Sequence, residues 1–576
     1  MKCLHSAFII AVLCLAVFQF SENTADPDLW SHVFFGKQFV QTGKPTTIDY
    51  YSWTAYGQPS FDHEYLGEAV FGLAYMCLGS PGLLLLKVII GLLTFGIALL
   101  MNGCTVAQIS KPAVSPISKS ASRTTPYGRQ VWKPAIQQTW KPALHFLHGD
   151  SGTMLVAWAF GALAVVEISF GFAARPQIFT ALFLTIELWL LRRIHSGNWR
   201  WALMLPPMFA LWFNLHGGAL AGLVLLFAAA ATTSVQIVLF GNPVRFAIYV
   251  PPALRAVTAQ RAIPASPRTV LVLWTSAIIS AATVVINPHG IELARWLVVS
   301  VLRHPPEIEE WSPTTLGWDH AAFFFCAGLA AAAFILSRRE RQLWEAAVLA
   351  VLFIVAFRAV RNTPLFCIAA LALVPPHLAD ALQRFRTSWQ RFEDILRLSA
   401  VRRVITVILA VASAGIIAAT FTLHKKHFWT MEVPRAQYPD AAIQFIQQHD
   451  LHGNLLVYFD WGEMCIWNLP RSPVSIDGRL DSVYSPAVID AHWKLYNGEP
   501  FDTNALNLAR ADFALLPSDL AGAKALVQDE KWRAVYFDQR AVVLVKNPAQ
   551  FPKLARLALP VQGPASATEG RDVFPN

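Results

Sequence analysis

Residues 81–105 read PGLLLLKVIIGLLTFGIALLMNGCT, and Lys87 is the single charged side chain in the stretch. A helix rises 1.5 Å per residue, so about twenty such residues cross a hydrocarbon core of about 30 Å. The segment is therefore expected to span a membrane. Comparable stretches at 3–20, 151–173, 176–191, 201–214, 217–240, 269–287, 319–337, 343–357, 363–376 and 403–423 bring the expectation to about eleven spans. Leu66–Leu78 is apolar but too short, and reads as a helix lying along the membrane surface. The composition agrees: 55% of the 576 residues are hydrophobic and only 14% are charged. The mean hydropathy of +0.42 is that of a membrane protein. The fold class expected is an α-helical polytopic bundle.

The net charge of +9 does not point to nucleic acid, because the basic residues are spread through short loops rather than gathered in a patch. The seven cysteines show no CxxC spacing, which leaves neither a disulfide framework nor a thiolate metal site. Alternate loops differ sharply in charge. The loops at 106–150, 192–200, 245–268, 338–341 and 384–403 carry twenty-two Lys and Arg, against seven in the intervening ones. The rich set is cytoplasmic by the positive-inside rule. The N-terminus then lies in the cytoplasm of a bacterial inner membrane, and the first outer loop (21–80) and everything after about residue 424 face outward. A cleaved signal peptide over the first span is the rival reading of the N-terminus, and it leaves the outer loop where it is. The boundaries drawn are a transmembrane domain over 1–424, with a cytoplasmic loop at 106–150, and an outward α/β domain over 433–576.

With that orientation, unusual polar residues gather at the outer face. They are Asp26, Asp28, His32, His63 and Glu64 in the first loop, then Arg175, Asn214 with His216, Asn287 with His289, Glu310, and Arg358 with Arg361. Ionisable residues at span ends are costly to keep there and commonly line a cavity or pathway. Each taken singly could be a snorkelling or capping residue; their convergence on one face argues for a site. Asp26 and Asp28 flank Pro27, and in an extended segment that spacing turns both carboxylates to one side. Four imidazoles (His32, His63, His216, His289) with nearby carboxylates also offer ligands for a divalent cation, although no short metal-ligand spacing such as HExxH supports one.

The run DPDLWSHVFFGKQFVQTGKPTTIDYYSWTAYGQPSFDHEYLGE (26–68) resembles the first periplasmic loop of bacterial GT-C membrane glycosyltransferases. Within that superfamily it is similar to the dolichyl-phosphate-mannose-protein mannosyltransferase-like or RgtA/B/C/D-like group. ARPQ (174–177), NLHGG (214–218), NPHG (287–290) and EEW (309–311) fit the same pattern, so the resemblance extends over about residues 1–380. It implies transfer of a hexose or pentose, with inversion, from a polyprenyl-phosphate donor to an envelope lipid, polysaccharide or protein at the outer face. It also implies an acidic residue of the first loop as base. Asp26 and Asp28 are equal candidates, since inverting transfer needs a carboxylate to take the acceptor proton. Arg175, Arg358 and Arg361 suit the phosphate, because guanidinium grips its oxygens bidentately. His63 and Glu64 are expected to shape the acceptor pocket, with His32, Asn214, His216, Asn287, His289 and Glu310 making further substrate contacts.

After residue 433 the pattern becomes that of a mixed α/β fold: a helix over Ala441–Gln448 and short strands at 454–459, 473–476, 511–516, 534–537 and 541–545. Asp477-Gly478-Arg479 reads as a turn closed by its own Asp–Arg contact, or else as a contact to the glycan. Gly462 and Gly478 read as turn positions, with no phosphate-cradling motif around them. Two other functions fit a helical bundle of this kind. A transporter or flippase would show inverted repeats and broken helices, and no repeat is visible. A non-catalytic assembly or glycan-binding protein would keep the fold and lose the chemistry.

The charge asymmetry makes the topology testable. A reporter fused after residue 130 is expected to report the cytoplasm and one fused after residue 440 the outside; finding both on one side would remove the common face on which the polar residues are placed.

Overall fold

The apolar stretches fold as helices. A computed structural model describes residues 2–103, 151–240, 266–302, 308–385, 398–423, 429–564 and 570–575. The loop expected at 106–150, and the basic residues at 245–261 and 386–397, lie outside the described residues. The N-terminal half holds α1 (Lys2–Phe20), α2 (Leu29–Thr42), α3 (Tyr65–Leu78), α4 (Ser80–Leu100), α5 (Ser151–Phe170), α6 (Gln177–His195), α7 (Leu205–Leu215) and α8 (Ala219–Phe240). There follow α9 (Pro267–Ala282), α10 (Ile291–Leu302), α11 (Ala321–Leu336), α12 (Leu343–Arg358), α13 (Thr363–Leu373), α14 (Pro375–Leu382) and α15 (Ser399–Leu423).

Among the described residues, six helices are long and apolar enough to cross a membrane, or seven if the pair Val360–Leu373 and Pro375–Leu382, bent by 56°, counts as one span. The remaining stretches of the expected eleven are helical but shorter or more charged: α7 has 11 residues, α11 and α12 have 16, and α6 carries Glu187, Arg192 and Arg193. The bend comes where Pro375 and Pro376 follow Val374, since proline cannot continue the backbone ladder. The final helix α15 is almost bare, with 6% of its apolar window covered, and packs on α1.

Residues 429–575 form α16 (Asp440–Gln448), α17 (Gly462–Asn468), α18 (Pro486–Asn497) and α19 (Ala521–Gln528) around a five-stranded sheet. Its strands are β2 (Leu455–Val457), β3 (Phe513–Pro517), β4 (Arg533–Phe537), β5 (Ala541–Val545) and β6 (Val561–Gln562), in the order β2-β3-β5-β4-β6. β1 (Glu432–Pro434) and β7 (Arg571–Val573) make a separate antiparallel pair. β3 and β5 sit in the middle, and every residue of both is buried, which is why they read as unbroken apolar runs rather than alternating ones. The stretch expected as a strand at 473–476 contributes only a bridge at Val474.

This region is sewn to the loop that follows α1. Ala25 N–H donates to the Glu432 carbonyl and Glu432 N–H to the Asn23 carbonyl, both at 2.7 Å. Farther along, Trp53 N–H donates to Val474 (3.0 Å) and Val474 N–H to Tyr51 (2.9 Å), so the loop extends the sheet edge beyond β2. Trp30 from α2 packs against Tyr438 and Phe574 with ring centroids 4.7 and 5.0 Å apart. A single apolar cluster thus runs from the helical bundle through the loop into the sheet. Within the loop, α2 and α3 touch backbone to backbone at Gly36 and Gly72, where a methyl on Gly36 would overlap the Glu68 carbonyl.

That contact makes Gly36→Ala an overpacking change, expected to lower unfolding free energy by about 1–3 kcal/mol. Gly96→Ala in α4, where nothing lies within 4 Å of the added carbon, is the comparison. Thermal unfolding in detergent micelles should separate the two, and equal midpoints would mean that α2 and α3 can part without loss.

Candidate active site

Where the loop, the sheet region and the ends of the bundle meet there is a cavity of about 1280 Å³, large enough for a sugar phosphate and an acceptor together. Its polar wall holds Asp28, His32, His63, Glu64, Arg175, His216, Glu310, Arg358 and Arg361, all singled out in the sequence. Its deeper wall is apolar and includes Leu220, Val224, Val351 and Val355 from α8 and α12.

At the centre of the polar wall Arg175 is surrounded by carboxylates. Its Nε lies 2.5 Å from Asp26 Oδ1, and its Nη1 lies 3.3 Å from Asp28 Oδ2 and 3.4 Å from Glu310 Oε1. Asp26 and Asp28 do face one side, but through a turn rather than an extended segment. Asp26 Oδ1 accepts from Asp28 N–H at 3.0 Å and the chain then enters α2. Asp28 takes the N-cap position of α2 without using its side chain as a cap, which leaves that carboxylate to the cavity. Asp26 is held behind it and does not line the cavity. Burial pushes the Asp28 carboxyl up to about 6, against the pull of Arg175 and reinforced by Asp26.

A second cluster surrounds Glu64. Its Oε1 is 3.1 Å from His63 Nε2 and 3.3 Å from His216 Nε2. His216 Nδ1 accepts from Gly218 N–H at 2.9 Å, which fixes the ring as the neutral tautomer with its proton on Nε2, facing Glu64. Burial also pushes His216 down to about 4. A side chain at Gly218 would collide with Thr180 and His216, so the glycines of NLHGG are there for close approach. Burial opposes charge on His63 and on Glu64, but each outweighs it for the other: the carboxylate raises the imidazole, and the imidazoles lower the carboxyl. His63 also packs against Trp296, with ring centroids 4.3 Å apart and planes tilted by 40°. His32 turns instead to Glu68, Nδ1 to Oε1 at 3.2 Å.

Arg358 and Arg361 differ from Arg175. Among the described residues neither has a carboxylate within ion-pair distance; Arg358 is exposed at the end of α12, and Arg361 lies over the Trp311 ring at 4.6 Å. The other sequence candidates are occupied with backbone. Asn214 donates to the carbonyls of Ala210 and Ile286, each at 2.7 Å, and accepts from Tyr65 Oη. Asn287 bridges Val284 and Gly290. His289 Nε2 meets the Asp62 carbonyl at 3.2 Å. None of the three lines the cavity.

The C-terminal region supplies the rest of the wall, through Asp460, Glu463 and residues 478–482, of which Gly478 and Arg479 stand out in the sequence. Arg479 closes on its own Asp477 with two bonds of 2.8 and 2.7 Å and pairs with Asp49 at 2.9 Å. Gly478 does lie in a turn and Gly462 opens α17, neither with positive φ. They are close-approach positions: a methyl on Gly478 would sit 2.6 Å from Glu463 Oε1 and 2.7 Å from Asp28 Oδ1. Among the described residues no group of three His, Cys, Asp or Glu is arranged to hold a metal ion. The point on which Asp26, Asp28 and Glu310 converge is filled by the Arg175 guanidinium.

The helical bundle, its long first loop and the terminal α/β region together close one cavity. No family model matches the chain, and no curated protein matches it in sequence. Solved structures are similar. The apo Archaeoglobus fulgidus oligosaccharyltransferase aligns over 94% of this chain and 74% of its own, with 14% identity and a TM-score of 0.52. Archaeal oligosaccharyltransferase AglB from Archaeoglobus fulgidus, in complex with an inhibitory peptide and a dolichol-phosphate, aligns over 89% of this chain and 69% of its own, with 13% identity and a TM-score of 0.50. ArnT from Cupriavidus metallidurans bound to undecaprenyl phosphate covers 93% and 97%, with 12% identity and a TM-score of 0.48. The chain is a multi-pass membrane protein that shares the fold of the two archaeal oligosaccharyltransferase structures.

Proposed function

We propose that the protein is an inverting glycosyltransferase of the bacterial inner membrane, moving a hexose or pentose from a polyprenyl-phosphate donor to an envelope lipid, polysaccharide or protein on the outer face. One observation carries the reading: a single cavity presents a carboxylate, Asp28, beside two arginines, Arg358 and Arg361, that have no carboxylate partner among the described residues. Asp28 takes the proton from the acceptor hydroxyl as its oxygen attacks the anomeric carbon. The bond from that carbon to the phosphate oxygen breaks, and the electron pair leaves on the phosphate, whose charge the two arginines receive. The apolar wall between α8 and α12 accommodates the first isoprene units. Arg175 is occupied by three carboxylates, so its role is to hold Asp28 and Glu310 in place rather than to bind phosphate. Asp26 orients that arginine, and Glu64 with its two imidazoles shapes the acceptor side.

Transfer measured in proteoliposomes with a panel of polyprenyl-phosphate sugars and an envelope extract tests this directly. Asp28→Asn is expected to lower turnover by about two to four orders of magnitude, with insertion unchanged; full activity in that variant would remove Asp28 as the base. The working form of Asp28 is the ionised one, so wild-type rate should be complete above pH 6 and fall as pH drops through about 6.

The arginines give a separate expectation for binding. Arg361→Lys and Arg358→Lys keep the charge but lose the planar fork, and should weaken polyprenyl-phosphate binding; Arg→Ala should weaken it further. A snorkelling arginine would tolerate Lys, so wild-type affinity in both Lys variants would place the phosphate elsewhere.

A further inference from the structure

Glu463 lies at the start of α17, 4% exposed, more than four hundred residues after Asp28 in the chain. Its Oε2 is fully enclosed and has no hydrogen-bond partner. Its Oε1 and Asp28 Oδ1 close on the same small volume above the Cα of Gly478, within 2.6 and 2.7 Å of where a side chain there would begin. Two carboxyl oxygens therefore border one space, kept open by the absence of a methyl on Gly478.

The cations around them are unequally shared. Asp28 Oδ2 faces Arg175 at 3.3 Å. The guanidinium that bears on Glu463, Arg479, spends Nε and Nη2 on Asp477 and Nη1 on Asp49. The other groups bearing on the pair are Asp26, His32 and Glu310 about Asp28, and Asp477 and the Ser31 hydroxyl about Glu463. A buried carboxylate with no counter-ion of its own is relieved by taking up a proton.

We infer that Asp28 and Glu463 form a carboxylic acid–carboxylate pair holding one proton between them, with Glu463 the protonated member and a positioning residue for Asp28. Burial and the neighbouring Asp28 charge both push the Glu463 carboxyl well above the usual carboxylate range, in keeping with that assignment. The acid would donate toward Asp28 Oδ1, steadying the ionised carboxylate and leaving Oδ2 between Arg175 and the cavity. The C-terminal region would then do more than cover the site: it would supply the group that sets the proton affinity of the base. The chemical importance of the pair rests on the glycosyl-transfer reading, but its existence does not.

Infrared difference spectra of the purified full-length protein provide a readout that needs no substrate. At pH 7 the wild-type protein should show a protonated-carboxyl C=O band, shifted in D₂O, that is missing from Glu463→Gln, a nearly isosteric change. If wild type and E463Q show the same bands in this region, Glu463 is ionised and the inference is wrong. Asp28→Asn removes the like charge, so the Glu463 band in that variant should titrate away at a pH lower by about one unit or more than in wild type, the size that marks coupled groups. An unchanged midpoint would equally overturn the pair. Should no donor support transfer while both spectral results appear, the glycosyltransferase reading fails and the pair stands.

Discussion

The arrangement turns on one guanidinium. Arg175 lies just before α6, and it gathers a carboxylate pair from the entry to α2 and a third carboxylate from the loop before α11. Three stretches far apart in sequence are thereby fixed to one point. Charges at such a site are expensive to desolvate, and the expense is offset only while the partners stay together. Removing Arg175 would leave three carboxylates facing one another, and removing one carboxylate would still leave a compensated cation. The fold is thus more sensitive to the arginine than to any single acid around it.

A second constraint follows from the seam between the first loop and the sheet region. Asn23, Ala25, Tyr51 and Trp53 exchange backbone hydrogen bonds with residues near 432 and 474, and Asp49 pairs with Arg479. The boundary drawn near residue 433 marks a change in composition, yet the apolar cluster crosses it without interruption. The consequence for the site is that both sides of its wall are tied by backbone hydrogen bonds, with Asp28 and Gly478 on either side of the same seam.

Hydropathy made the bundle legible, since each apolar stretch became helix, and the ionisable residues at span ends made most of the polar cavity wall legible. What escaped were features whose meaning depends on distant partners. Helix α2 was hidden because its buried face, including Leu29, Trp30, Val33 and Gly36, packs on α3 and the sheet region rather than on lipid, so it carries no span-length signal. Asn214 and Asn287 were read as ligands, yet the amide that suits a ligand also suits a helix end with unsatisfied carbonyls. Arg175 looked like Arg358 and Arg361, and only geometry divides the paired cation from the unpaired ones. Glu463 gave no signal, because its neighbour lies at the other end of the chain.

The carboxyl groups of this region sort by their cations. Glu64 lies between His63 and His216, and Asp477 is gripped by Arg479; burial opposes the charge of both, and both are nevertheless lowered. Asp62, Glu68 and Glu463 have no guanidinium to themselves, and burial raises all three well above the ordinary range. Asp28 belongs to neither group, because its arginine is divided among three acids and cancels only part of the cost of burial. Its carboxyl is left near 6, the one carboxyl among these poised close to neutrality. A proton acceptor is effective when its affinity matches the working pH. Sharing one cation among several acids is a physical means of reaching that value without making the carboxyl so basic that it is already protonated.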